Sequence, residues 1–446
     1  MQRRYILPIV QVCIAIATLT DRAAAVPSFS RQTLMPCSAC HSGFPEITAF
    51  ARDFKLNGYT LSMTNKIEGP ATDSTPALMV SSYFPLSVML QSAFTRSNRG
   101  IPDRANNDFQ LPQQLSLFLA GEIAPHLGLF VQATYSQSSN TFSMDNTDIR
   151  YADRTTIGGK NLVYGLDVNN NPGVEDLWNT GAAWSYPFAA PDSDTAVSPT
   201  AGPQLDGALA QQVMGVGGYL MLDNHWYVNS ELYRSAQIGG PTPPNQDSEN
   251  VINGVSPYWR LAWHSPLAGS NYLMLGHYGL YTAHHPKGVS GPLDELIDIA
   301  FDGQFEHTMG SNLLSAHAVY IYEGQNLHAT TLAGGSAKAD NHLNEVRVDA
   351  IYHLGYTWSV GAQYFYIFGN KNDGLYSPGD VSGSANGSPN SDGFVVSATF
   401  FPWQNIQLKA LYKVYTQFNG RAHNYDGSLR SAADNDTLYL LAWLAF

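Results

Sequence analysis

The stretch Glu345–His353 reads EVRVDAIYH. Val346, Val348, Ala350 and Tyr352 fall on one face of an extended chain, and Glu345, Arg347 and Asp349 on the other. Side chains of a strand point alternately to two faces, so this is a strand with an apolar side and a charged side. The same period returns in IDIAFDGQFE, where Ile297, Ile299, Phe301 and Phe305 oppose Asp298, Asp302 and Glu306. It returns again in NIQLKALYKVYTQ, where Ile406, Leu408, Ala410, Tyr412 and Val414 oppose Gln407, Lys409 and Lys413. A soluble β-sandwich would turn the apolar face inward. A membrane barrel turns it outward to lipid and wraps the charged face around a wet lumen.

Three features favour the membrane barrel. Tight connections at Pro125, Asp223-Asn224, Leu354-Gly355 and Gln404-Asn405 alternate with long Gly/Asn/Ser/Pro stretches at 170–207, 237–255, 324–341 and 370–391. Short periplasmic turns and long external loops are the pattern of outer-membrane barrels. The last segment, TLYLLAWLAF, reads as a strand ending on Phe446, which resembles the assembly signal of such proteins. Tyr and Trp gather near strand ends, as an aromatic girdle requires. The composition agrees: 12% aromatic, 13% charged, 25 Tyr and 39 Gly. The mean hydropathy is −0.17, and no stretch beyond the N-terminus approaches the roughly 18 apolar residues of a spanning helix. The expectation is an all-β chain with about sixteen transmembrane strands. They pair as 84–96/111–123, 127–138/145–155, 160–169/209–222, 226–236/257–264, 271–282/294–307, 313–323/342–353, 356–367/393–401 and 406–417/436–446.

The N-terminus reads as a secretory signal over residues 1–25. Arg3 and Arg4 precede the apolar run YILPIVQVCIAIATL, and Ala23-Ala24-Ala25 offers a cleavage site before Val26. Removing the leader takes away a net charge of +2, so the chain goes from −13 to −15. That disfavours nucleic acid as a partner and favours cations near the surface or pore.

Residues 26–75 form a separate segment ahead of a barrel at 80–446. Cys13 lies in the leader, so Cys37 and Cys40 are the cysteines that remain. They stand in Cys37-Ser38-Ala39-Cys40-His41, the C-x-x-C-H spacing that attaches one c-type haem covalently, with His41 as axial ligand. A small disulfide or half of a zinc site are the plainer readings, but zinc needs further ligands nearby and none stands there. Pro45 suits the start of a helix carrying Ile47, Phe50, Ala51 and Phe54 on one face, with Gly58 as its stop after Asn57. So short a segment cannot bury a haem alone and should lean on something else. Met63 is a candidate distal ligand, with Met35, another Met, a His or an open position as alternatives.

The stretch VPSFSRQTLMPCSACHSGFPEITAFARDFKLNGYTL (Val26–Leu61) resembles the N-terminus of the fused monohaem cytochrome c–porin family, which includes outer-membrane iron-oxidising cytochromes. NNPGVEDLWNTGAAWSYPF (Asn170–Phe188) resembles that family's long-loop motif. The resemblance implies an outer-membrane electron conduit. Cys37 and Cys40 would be the thioether residues and His41 the axial ligand. One electron would pass from an extracellular reductant, Fe(II) among the candidates, through the haem to a periplasmic soluble cytochrome or other carrier. The haem segment would sit on the periplasmic side or inside the lumen. A porin-type solute channel with a haem redox plug or sensor is the alternative, and haem catalysis a third class.

Asp298, Asp302, Glu306, Glu345 and Asp349 could draw a cation into the lumen, or simply line a solvated wall paired to Arg347 or Lys409. Asp148 and Arg150 read the same way. His284-His285 is placed in a loop, without the spacing of a full metal shell. Nucleotide-binding and hydrolytic motifs do not occur in a supporting context.

Overall fold

The computed structural model describes residues 27–446, apart from 192–193, 208, 236–248 and 378. The expected leader lies outside the described residues. Antiparallel strands form one closed barrel of eight hairpins. Numbering the barrel strands alone, these are β1 Leu86–Ser97 with β2 Asp108–Ala124, β3 Leu127–Ser136 with β4 Thr141–Ile157, and β5 Lys160–Asn169 with β6 Val213–Leu222. Next come β7 Trp226–Ser235 with β8 Ser256–Leu267, and β9 Asn271–Lys287 with β10 Asp294–Met309. The rest are β11 Asn312–Asn326 with β12 Asp340–Leu354, β13 Trp358–Gly369 with β14 Ser391–Trp403, and β15 Ile406–Gln417 with β16 Thr437–Ala445. A short outer piece, Glu249–Ile252, continues the pairing of β8 with β9. Closure comes from β16 pairing with β1, Thr437 opposite Ser97. The expected pairs hold throughout. The hairpin of β3 and β4 differs most: its tip is only residues 137–140, with Ser136 opposite Thr141.

The alternation sets the two faces. On β12 Glu345 and Asp349 are buried while Val348 is 49% exposed. On β10 Asp298 and Asp302 are buried while Ile297, Phe301 and Phe305 are exposed. On β15 Gln407 and Lys409 are buried while Leu408 and Tyr412 are exposed. Exposed Leu, Val and Phe continue round the outside, as at Leu166, Leu232, Leu275, Val360 and Phe394. Such a girdle is stable against lipid, where closure also satisfies every strand hydrogen bond.

The bore is not an open wet lumen. Residues 27–61 fold into it from the end that carries the short turns. They comprise α1 (Pro27–Thr33), the single turn α2 (Cys37–Cys40) and α3 (Ala49–Leu56). α3 starts at Ala49 rather than at Pro45, because Thr48 accepts from the Ala51 amide and caps it; Ile47 belongs to a two-stranded ribbon instead. Its end follows expectation. Gly58 has φ +63°, and Gly58 and Tyr59 donate to the Lys55 and Phe54 carbonyls at 3.0 Å, a Schellman cap.

The plug reaches well-separated points of the wall. Ser28 N donates to Ser87 Oγ on β1 at 2.8 Å, and Tyr59 Oη to Asp148 on β4 at 2.6 Å. Arg52 pairs with Glu306 on β10 at 2.7 Å. His353 Nε2 on β12 meets Glu46 at 2.8 Å, and Ser38 N donates to Gln404 at 3.3 Å. An element tied to β1, β4, β10, β12 and the 404–405 turn spans the bore. The docking is close at two glycines. A Cβ on Gly128 of β3 would stand 2.1 Å from Gly58 O, and one on Gly58 3.1 Å from Arg150 O.

A Gly58→Val variant therefore has both a strained backbone and a clash with the wall. The expected outcome is a plug cut by added protease while the barrel keeps its heat-modifiable migration on gels. A plug as protected as wild type would contradict this docking.

Candidate functional site

The segment after β5, described at 170–191, 194–207 and 209–212, turns inward and crosses the bore. Tyr186 Oη lies 2.9 Å from Ser397 Oγ on β14, and Lys409 of β15 donates to Pro187 O at 2.8 Å. The Leu205 amide donates to Asp298 of β10 at 2.6 Å, and Arg347 of β12 pairs with Asp206. The inward charges are thus engaged rather than lining solvent. Asp349 holds His317 at 2.7 Å, and Glu345 holds Arg347 at 3.0 Å. Lys409 meets a carbonyl, not a carboxylate.

Two adjacent acids root this segment. Arg150, fully buried, donates to Glu175 at 2.9 Å and to Asp148 at 2.8 Å. Arg260, also buried, meets Asp176 at 3.1 Å and Asp302 at 2.6 Å. Burial alone would raise Asp176, but the Arg260 guanidinium and the amides of Trp178 and Gly181 hold it below the usual carboxylate range. The carboxylates of Glu175, Asp167 and Glu231 also cluster, the group of three among the described residues close enough to share an ion. His284 and His285, expected in a loop, are instead buried at the end of β9, facing Ile252 and Val251 across the sheet.

Between the plug and the inserted segment lies a cavity of about 470 Å³. Cys37, Cys40 and His41 all open onto it. α2 carries the two thiols at its first and last positions, and His41 follows directly. Burial pushes the Cys40 thiol up to about 11. Around them stand Phe44, Phe54, Phe118, Phe130, Trp184 and Trp443, drawn from plug, wall and inserted segment. His41 Nδ1 lies 3.2 Å from the Glu46 carbonyl, so a proton there is donated to the carbonyl and Nε2 keeps its lone pair. Burial lowers His41 to about 4, which keeps the ring neutral. Glu46 is itself held at about 2: burial opposes ionisation, and the charge and hydrogen bond of His353 outweigh it. A neutral imidazole oriented through Nδ1 is the arrangement of a metal-ligating histidine. The volume falls within the range of cofactor sites, and two thiols beside a free imidazole nitrogen fit the haem expected from the sequence.

Met63 does not join this group. It is 56% exposed, its amide bonded to Gln32 O at 2.9 Å at the mouth of the barrel. Met35 and Met89 line the cavity instead. Met35 is one of the alternatives expected from the sequence, and Met89 falls under the alternative of another Met, since by pattern it looks like any inward residue of β1.

Closed, antiparallel, sixteen-stranded and apolar outside, the fold is that of an outer-membrane β-barrel. No family model matches the chain, and neither does a curated protein. Among solved structures, similar ones include the outer-membrane channel DcaP of Acinetobacter baumannii, at 12% identity over 81% of this chain and 96% of that one, TM-score 0.48. OmpF of Salmonella typhi is 13% identical over 81% and 97%, TM-score 0.46. An anion-selective porin from Comamonas acidovorans is 11% identical over 81% and 98%, TM-score 0.45.

Replacing Arg150 by Met leaves Asp148 and Glu175 buried without their cation. Breaking such a pair costs about 3–5 kcal/mol. The inserted segment should then detach, read as increased quenching of Trp178 fluorescence and protease cleavage within 170–212. Unchanged quenching and cleavage would show that Arg150 does not hold it.

Proposed function

We propose that this chain is an outer-membrane redox protein that holds one covalent haem c inside its barrel and passes single electrons between an external donor and a periplasmic carrier. The observation that carries the reading is the position of the C-x-x-C-H side chains. They line an aromatic cavity within the bore, closed in by plug and inserted segment, at the end that bears the short turns. Short turns face the periplasm in such barrels. Cys37 and Cys40 would tether the group, and His41 would present Nε2 to its iron. A haem bound there supplies one-electron chemistry. The chain's own part is to hold it, keep His41 neutral and oriented, and wall it with Phe44, Phe118, Phe130, Trp184 and Trp443. The apolar band of an outer membrane is roughly 25 Å tall. A redox group inside the bore shortens the distance to both faces, which one hanging below the mouth does not.

A porin-type solute channel is the second reading, favoured by a polar opening beside the inserted segment. Conductance in a planar bilayer separates the two: a plugged conduit conducts poorly and a channel passes solute.

The direct test uses purified protein in liposomes, loops outward. Covalent haem should survive denaturing electrophoresis, and a Cys37→Ser/Cys40→Ser variant should lose it while keeping the barrel. Fe(II) or a membrane-impermeant organic reductant added outside should reduce the haem, followed by visible absorbance. Reduction by the organic reagent alone keeps the conduit and removes iron as donor under those conditions. A haem that answers only to a reductant sealed inside sinks the conduit and leaves the channel.

A further inference from the structure

Beside the cysteine cavity lies a second one, of about 350 Å³. Its wall side consists of Gln91 on β1, Gln113 and Gln114 on β2, and Ser136 on β3, with Ser138 in the hairpin tip beyond. The inserted segment closes the other side with Phe188, Ala189, Ala190 and Pro191. Among the described residues, no charged side chain lines it. Its outer end is open, because Ser138 and Ala190 are exposed at the long-loop end. Its inner end meets the first cavity, since Gln91, Gln114 and Phe188 line both.

Strand register explains the polar wall. Gln91 stands opposite Gln114, and Gln114 opposite Ser136, so three polar side chains form one row across three neighbouring strands. Further in, Met89 faces Ser116, and beyond them Phe118 faces Gln132, so the wall turns aromatic as it nears the cysteines. The opposite wall is anchored too. Gln113 donates to Ala190 O at 3.2 Å and accepts from Tyr439 Oη on β16 at 2.6 Å. The gap is therefore framed by fixed groups on both sides.

We infer that this row of amides and hydroxyls is the route by which a small hydrated redox solute travels from outside to the Cys37–His41 cavity. The inference rests on the haem reading and deepens it by naming the donor's class. At about 30 Å³ per water, a volume of this size holds on the order of ten waters, so a protein or a mineral particle cannot enter. Amides and hydroxyls both donate and accept, so they can stand in for a hydration shell of either sign. The neutral lining then sorts by size and hydration rather than by charge.

The test takes haem-loaded Ser136→Cys protein in sealed liposomes, before and after an external bulky methanethiosulfonate reagent. Hexaammineruthenium(II) added outside is the probe reductant, and Ser428→Cys in the exposed loop after β15 is the control label. Blocking at residue 136 should slow haem reduction about tenfold or more, equivalent to about 1.4 kcal/mol or more of barrier. It should leave the haem spectrum and midpoint potential unchanged. Labelling at residue 428 should change nothing. Gln114→Trp, which narrows the row without a reagent, should slow the same step. Complete labelling at 136 with an unchanged rate overturns the passage while the haem reading stands. A chain with no covalent haem on the gel, seen before any rate is measured, overturns both.

Discussion

Lipid leaves a membrane sheet no open edge, and that constraint governs this molecule. Sixteen strands must close on themselves, as β16 does on β1. A wall of that many strands encloses more space than its own inward side chains can fill. Something must then occupy the bore, or water must. Here two pieces of the chain enter from opposite ends: residues 27–61 past the short turns, and residues 170–212 past the long loops. Each is too small to make a core alone. Each uses the barrel as the other half of one. Tyr59 is buried with its hydroxyl on Asp148, and Tyr186 is buried against β13 and β14.

Filling a charged bore has an electrostatic consequence. Inward carboxylates that would be harmless in a water-filled channel lose their solvent once it is plugged, and burial without a partner is costly. The chain answers with guanidinium. Arg52, Arg150, Arg260 and Arg347 each face at least one carboxylate within 3.1 Å. Arg suits such sites because its planar fork serves several oxygens at once and stays charged. The Glu175-Asp176 pair shows the geometry at its plainest. Adjacent residues point to opposite arginines, one on β4 and one on β8, so a single dipeptide ties the inserted segment to two sides of the wall.

Much of this was legible in the sequence. The two-residue period of EVRVDAIYH predicts which of its side chains face inward, and the turn residues place the short connections to within a residue or two. C-x-x-C-H marks the cysteine site by itself. What could not be read was how the bore is filled. Periodicity shows that Asp302 or Glu306 points inward, but not whether water, Arg260 or Arg52 waits there. Those partners lie 42 and 254 residues away in the chain. The helix start was missed for a local reason. Pro45 is a good first residue on its own, but Glu46 and Ile47 pair back to Gly43 and His41, and Thr48 is the cap that remains. Met63 stands away from the cysteines because Gln32 holds that stretch at the mouth, which nothing local in the sequence shows.

Plug and inserted segment meet where Lys55 donates to Asp176 O at 3.1 Å and Asn179 to Pro45 O at 3.2 Å, and beside these contacts they leave an aromatic-walled space into which Cys37, Cys40 and His41 open. Protein interiors are close-packed, so a space of this size has to be held by its frame. A space of about 470 Å³ beside a helix turn carrying two thiols and an oriented imidazole is far larger than packing faults of ordinary interiors. Its walls are rigid, since β2, β3 and β16 supply Phe118, Phe130 and Trp443. It therefore cannot close by relaxation of one loop. A space framed by three strands, and joined to the second cavity at Gln91, Gln114 and Phe188, belongs to the barrel frame rather than to any one loop.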